Sequence, residues 1–363
     1  MGLAPAWLDV LGRMSGPVSS PLAGMQSLPD SHPYARMGSG VVQEAVEFFS
    51  SLVSSLDYRG GLEDNMALPT SLGGRHLCAM APPAMAAGNL DRAGSVAIVG
   101  IGAMRDFSAC LVAQNLSAGG ALSAQGVTVD FAGAGADLGN LDVARRIQEP
   151  KLRAQLGAEV LACIGGAERV GFPAVLGLGA HQEVVGDLER ILGREVFEIA
   201  TVPPSVPGLR LSSALAVLRR TLGVKEVIGA RVTGFVPGPG GVGGLRVRAA
   251  SRSQIYEADY FVIASGGVLG GGIEVGHQAR SETILGLQIP EGPLGSLGVA
   301  VDNSLRPLGP SGDPVFQNVA FAGATVGGAD PIGELSSQGI CVATGYLAAE
   351  VVKAEVAKVA RAK

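Results

Sequence analysis

Aromatic residues are scarce in this 363-residue chain, at 4 %, charged residues stand at 16 %, and there are four cysteines. Each scarcity closes off a class of function. Cys78, Cys110, Cys163 and Cys341 lie far apart and form no C-x-x-C pair, so neither a zinc knuckle nor an iron–sulfur cluster is encoded, and no metal site is expected. The net charge is −5 and Lys and Arg nowhere cluster, which excludes a nucleic-acid footprint, because several phosphates would have to be neutralised. Long hydrophobic runs are missing as well. Mean hydropathy is +0.35, yet the most apolar stretch, Tyr260 to Ile273, is thick with glycine and bounded by Asp259 and Glu274, which suits a buried strand and turn rather than a membrane span. No basic segment precedes the apolar residues at the N-terminus, and Asp9 interrupts them, so a secretory leader is not expected.

What the chain has in abundance is glycine, 55 residues within a 47 % hydrophobic composition. That balance predicts a folded α/β protein with many tight turns, either two domains or one large domain carrying an insertion. Apolar spacing predicts a helix over 41–56, a strand at 95–100, a helix over 107–116 and a strand at 127–131, a β-α-β unit. A strand at 173–178, an amphipathic helix over 181–192 and a strand at 196–200 follow, up to the proline-rich break at 202–207. Beyond it come a helix to Leu222 and short strands around a Pro-Gly turn at 237–244. Domain boundaries are expected near residues 90 and 207.

Three segments have the residue types of a nucleotide or flavin site. In Val99-Gly100-Ile-Gly102-Ala-Met-Arg105, with Asp130 after the next strand, a strand runs into a Gly-x-Gly turn, and glycines let backbone approach a pyrophosphate at a helix N-terminus. Arg105 stands where the third glycine would be, so a plain strand–turn–helix is the alternative, with Arg105 free to meet an anion. In Asp259-Tyr-Phe-Val-Ile-Ala264-Ser265-Gly266-Gly267 an apolar strand ends in residues small enough to leave room for a cofactor, or is simply a buried parallel strand entering a turn. In Val319-Ala-Phe-Ala-Gly323-Ala324-Thr325-Val-Gly327-Gly328, followed by a helix starting at Gln338-Gly339-Ile340, a helix N-terminus presents partial positive charge that suits a flavin's pyrimidine edge or phosphate. A helix packed on a sheet edge is the alternative there. The order of these pieces is that of the later half of a flavoprotein oxidoreductase fold.

His32-Pro33-Tyr34, the segments 99–107, 201–210 and 284–287, and Gly327-Gly-Ala-Asp-Pro-Ile332 resemble, in order and over nearly the whole chain, the B subunit of anaerobic glycerol-3-phosphate dehydrogenase. The resemblance implies a Rossmann-like FAD/NAD(P)-binding flavoprotein fold, N-terminally truncated because no β-α start precedes Trp7, with an inserted α/β domain. In these terms residues 1–90 are the N-terminal remainder of the flavin domain, 91–207 the insertion, and 208–363 the C-terminal half of the flavin domain. It further implies a cytoplasmic-side subunit with FMN (or FAD), paired with a larger FAD-containing catalytic subunit and a membrane-anchoring iron–sulfur subunit. The complex oxidises sn-glycerol 3-phosphate to dihydroxyacetone phosphate and passes electrons to quinone. Flavin contacts are expected at Ala264, Ser265, Gly266, Gly267, Gly323, Ala324, Thr325, Gly327, Gly328, Gln338, Gly339 and Ile340. Arg105, His181, Arg210 and His277 are candidates for phosphate or substrate contacts. Two other readings stand beside this one: a structural partner subunit without flavin, and an NAD-linked dehydrogenase using Gly100 and Gly102.

Overall fold

The computed structural model describes residues 2–120, 122–131, 137–250, 252–277 and 279–361. The chain divides into two compact units, residues 2–8 with 50–223 and residues 9–49 with 224–361.

The first unit is built on four parallel strands, β1 (Gly94–Ile101), β2 (Leu122–Val129), β3 (Arg169–Pro173) and β4 (Glu195–Ile199), in the spatial order β2-β1-β3-β4. Alternation along β1 decides the layering. Ala97, Val99 and Ile101 join one buried cluster and Val96 and Ile98 another, so both faces of the sheet are covered, as a parallel sheet requires. Helix α1 (Ala109–Ala118) packs on the second face, while α2 (Pro150–Cys163) and α3 (His181–Leu192) pack on the first. In α3, Val184, Leu188 and Leu192 recur at four-residue spacing and are buried, and Gly193, at φ +61°, closes the helix in a left-handed conformation. Helix α4 (Val206–Thr221) starts where the Ser205 hydroxyl accepts the Gly208 N–H at 3.0 Å, with Pro207 in its first turn.

Two strands differ from the sequence pattern. Strand β3 ends at Pro173 where the pattern would have it begin. Its first residue, Arg169, is buried and donates to the carbonyl oxygens of Ala87, Asn89 and Arg92 at 2.9–3.2 Å, so a charge that masks the apolar run is satisfied inside the core. Strand β2 begins at Leu122, five residues early, because it is an edge strand and tolerates alternating polar residues. The boundary expected at 207 falls after 223, since α4 packs within the first unit. That expected at 90 falls between 49 and 50, because residues 9–49 join the C-terminal stretch.

The second unit holds an antiparallel meander of β5 (Ala230–Gly238), β6 (Gly241–Ala249) and β7 (Arg252–Glu257), then the parallel pair β8 (Phe261–Ile263) and β11 (Val319–Phe321), with the hairpin β9 (Ile273–Val275) and β10 (Arg280–Glu282) between them. Asn318 ties meander to parallel pair: its amide exchanges hydrogen bonds with the backbone of Val242 at 3.0 and 2.7 Å and donates to the Asp259 carbonyl at 3.2 Å. The unit ends in the long helix α5 (Ser337–Arg361), and Phe261, Ile263 and Phe321 sit in its core.

Candidate functional site

The turns after β8 and β11 meet. The side chain of Thr325 is fully buried, and its Oγ1 accepts the N–H groups of Gly266 at 3.0 Å and Gly267 at 3.3 Å. With both lone pairs engaged, its own proton goes to Ser265 Oγ, 3.3 Å away. Gly323 is fixed in the same manner by Thr344 on α5, whose Oγ1 accepts the Gly323 N–H at 2.8 Å and donates to the Ile340 carbonyl. Gly267, at φ +64°, lies so close to Ala324 that a Cβ would run into the Ala324 carbonyl oxygen. These residues hold the two turns together. Exposed on them are Ala264 and Ala324, with Ser265 and Gly266 half-buried beside them, whereas Gly267, Gly323, Thr325, Gly339 and Ile340 are buried.

The start of α5 is different. The Gln338 N–H donates to Asp9 Oδ1 at 3.2 Å and the Gly339 N–H to the Asp9 carbonyl at 2.8 Å, so the donors expected to face a flavin are already used by the chain itself. Tyr34 stands against the same turn: a Cβ on Gly339 would strike its Oη. That hydroxyl is buried without a hydrogen-bond partner among the described residues, and burial, with the nearby Asp9, pushes its pKa well up, so it keeps its proton. Gly327 and Gly328 line a smaller cavity of about 290 Å³ together with Ser31, Pro33 and Arg36, whose guanidinium donates to the Val301 carbonyl. His32 caps the preceding turn, its Nδ1 accepting the Tyr34 N–H while its Nε2 donates to Glu334 at 3.1 Å.

A flavin therefore fits one part of this arrangement and not the other. Small residues on the carboxyl ends of two adjacent parallel strands leave backbone open to a flat ring, the position where open α/β sheets take ligands. An orphaned buried phenol nearby adds a polar group that calls for a partner. The α5 donors do not fit, being capped by Asp9. Asp9, Tyr34 and Arg36 had no role assigned from sequence; in the chain order Asp9 only interrupts an apolar run, and its partner lies 329 residues away.

The phosphate and substrate candidates separate. Arg105 is exposed and paired with Asp137 at 2.6 Å, and His277 is exposed at the tip of the β9–β10 hairpin. His181 and Arg210, by contrast, come together around Glu198 at the end of β4. Arg210 grips Glu198 through two hydrogen bonds of 2.6 and 2.9 Å and donates from Nε to the Gly177 carbonyl at 2.8 Å. Burial works to raise the Glu198 pKa, but Arg210, His181 and the Leu176 N–H outweigh it and hold it down to about 2. His181 Nδ1 lies 2.8 Å from the Leu176 carbonyl, and burial lowers the pKa of the ring. Gly100 lies within β1 and the backbone turns at Gly102, but α1 starts only at Ala109 and is capped by the Ser108 hydroxyl, which accepts the Leu111 N–H at 3.3 Å. A phosphate-cradling turn would run straight into its helix. Residues 132–136, before Asp137, lie outside the described residues.

The chain matches the family of the FAD binding domain over residues 3–340. Among curated relatives, the B subunit of the probable anaerobic glycerol-3-phosphate dehydrogenase of Halobacterium salinarum is 34 % identical over 95 % of this chain and 88 % of its own length. The B subunit of the anaerobic glycerol-3-phosphate dehydrogenase of Pectobacterium carotovorum is 28 % identical over 96 % of the chain and 89 % of its length, and that of Vibrio cholerae 24 % over 97 % and 88 %. No solved structure matches the chain significantly. The matched family is defined by FAD and lends no support to FMN.

Proposed function

The chain belongs to the FAD binding domain family and to the anaerobic glycerol-3-phosphate dehydrogenase B subunits, and on that premise we propose that it is the flavin-bearing subunit of such a complex, working with FAD in the oxidation of sn-glycerol 3-phosphate to dihydroxyacetone phosphate with quinone as the eventual acceptor. The observation that carries this reading is the match to B-subunit relatives over 95 % of the chain, joined to the open strand-end turns of β8 and β11. Bound flavin would supply the two-electron redox chemistry, accepting a hydride from the substrate carbon. The chain's own part is positional. Ala264, Ser265, Gly266 and Ala324 give a small, open surface for the ring, Thr325 and Thr344 lock the backbone that carries them, and Tyr34 offers a protonated hydroxyl.

In the same reading residues 50–223 are an insertion into a flavin domain formed by residues 9–49 and 224–361, partner subunits carry FAD, iron–sulfur clusters and the membrane anchor, and this subunit is cytoplasmic and peripheral. No helix among the described residues is long and apolar enough to cross a membrane. The test is reconstitution of the purified chain with FAD, followed by gel filtration and an absorbance spectrum. A flavin band eluting with the protein is expected, and Ala324→Leu should cut its intensity at least fivefold with the circular dichroism unchanged. A protein that emerges colourless overturns the cofactor assignment. The capping of α5 by Asp9 favours a second reading, a structural partner subunit without flavin, and that colourless result combined with intact complex assembly would establish it.

A further inference from the structure

The first unit contains a cavity of about 780 Å³ that the redox reading leaves unused. Its size falls in the usual range of small-molecule sites, roughly 300–1,000 Å³. His181, on the first turn of α3, and Arg210, on α4, both line it.

The hydrogen-bonding capacity of these two residues is only partly spent. Nδ1 of His181 faces the Leu176 carbonyl at 2.8 Å, and a carbonyl can only accept, so Nδ1 carries the proton. The neutral ring then presents Nε2 as a lone pair. Its nearest charged neighbour is Glu198 Oε2 at 3.8 Å, another acceptor, so Nε2 lacks a donor. Protonating the ring would supply one, but burial disfavours the charged form. Arg210 has the opposite surplus. Of its five N–H groups three are engaged, two on Glu198 and one on Gly177, which leaves two donors on a side chain only 6 % exposed. A ligand group that satisfies both residues must donate and accept at once, as a hydroxyl does.

The charge of the cavity selects further. Glu198 neutralises Arg210, as Arg59 does Asp57 and Arg153 does Glu183, and Glu189 also stands in the wall with no cation paired to it among the described residues, so the lining has no cation to spare and is slightly negative. A phosphate or carboxylate is repelled. We infer that this cavity binds an uncharged polyhydroxy compound, a polyol or monosaccharide, one hydroxyl of which donates to His181 Nε2 and another of which accepts from Arg210. The inference goes beyond the redox reading, which concerns the β8 and β11 turns.

Isothermal titration of the full chain with sorbitol, with glucose and with inorganic phosphate tests it. Saturable heat with sorbitol or glucose and none with phosphate is expected, and affinity should fall at least tenfold in His181→Phe and in Gly186→Leu. Gly186 lines the cavity on α3 and a Cβ there meets nothing within 4 Å, so leucine fills the space without disturbing the fold and decides the matter if His181→Phe does not fold. No saturable heat from either compound, heat from phosphate that both variants abolish, or sugar binding unchanged in Gly186→Leu would overturn the inference.

Discussion

Replacing Glu198 by Gln leaves the Arg210 guanidinium buried against a neutral amide. Removing one partner of a buried pair costs about 3–5 kcal/mol, and the urea midpoint of Glu198→Gln should fall accordingly. The same carboxylate shapes the response to acid. Its pKa in the folded protein, about 2, lies below the ordinary 4.5, so its stabilisation is complete above pH 4.5 and is lost as pH falls toward 2. His181 acts in the same direction at higher pH: its ring pKa is lowered by burial, the unfolded chain takes up that proton more readily, and stability declines as pH drops below 6.5. Urea midpoints across pH 7 to 2 should show both phases in the parental chain and a flatter curve between 4.5 and 2 in Glu198→Gln. Gly267 makes a different point. Alanine there faces a left-handed φ and the Ala324 carbonyl, and should cost at least about 2 kcal/mol, read as a lower thermal midpoint. At this scale the sequence was only half legible: the small residues of the β8 and β11 turns could be named as a set, but whether each made room for a ligand or for a neighbouring backbone depended on contacts some sixty residues away.

Among the elements, α3 is read from its four-residue apolar period to both of its ends, because His181 to Leu192 is bounded by glycine and its face is simple. Strand β3 is misplaced by the same logic, since a buried Arg169 bonded to three carbonyls looks from sequence like a surface residue. Helix α5 is legible in its existence but not in its cap. Its first turn draws an acceptor from Asp9, and no local pattern of the S/T-x-x-E kind could have announced a partner at the other end of the chain. Asp9→Ala removes the side-chain acceptor for Gln338 and leaves the backbone bond to Gly339 in place, so a loss of about 1 kcal/mol is expected in chemical denaturation.

The two-unit division governs the behaviour of the whole molecule. Residues 50–223 carry the four-stranded sheet and the cores on both its faces; excising them gives up the contacts of residues 2–8, among them the pairing of buried Leu8 with Met80 and the packing of Trp7 on His76, Leu68 and Met85, which a small buried cluster would lose. This fragment should fold alone, giving cooperative unfolding by circular dichroism, whereas 224–361 without 9–49 should not. Bound FAD, if held in the second unit, stabilises the folded chain by about 2.7 kcal/mol at a hundredfold excess over its dissociation constant, so differential scanning calorimetry should show a rise of several degrees with FAD.

The bond between Asp9 and the start of α5 also sets a clock. Translation at about 5–20 residues per second delays the second partner by roughly 15–65 s after the first has left the ribosome. Throughout that interval residues 9–49 wait without the helix they pack on, while the contiguous stretch 50–223 is free to finish folding. Residues 9–49 are thus exposed to chaperones and proteases for longer than residues 50–223, and the synthesis of α5 is what withdraws them.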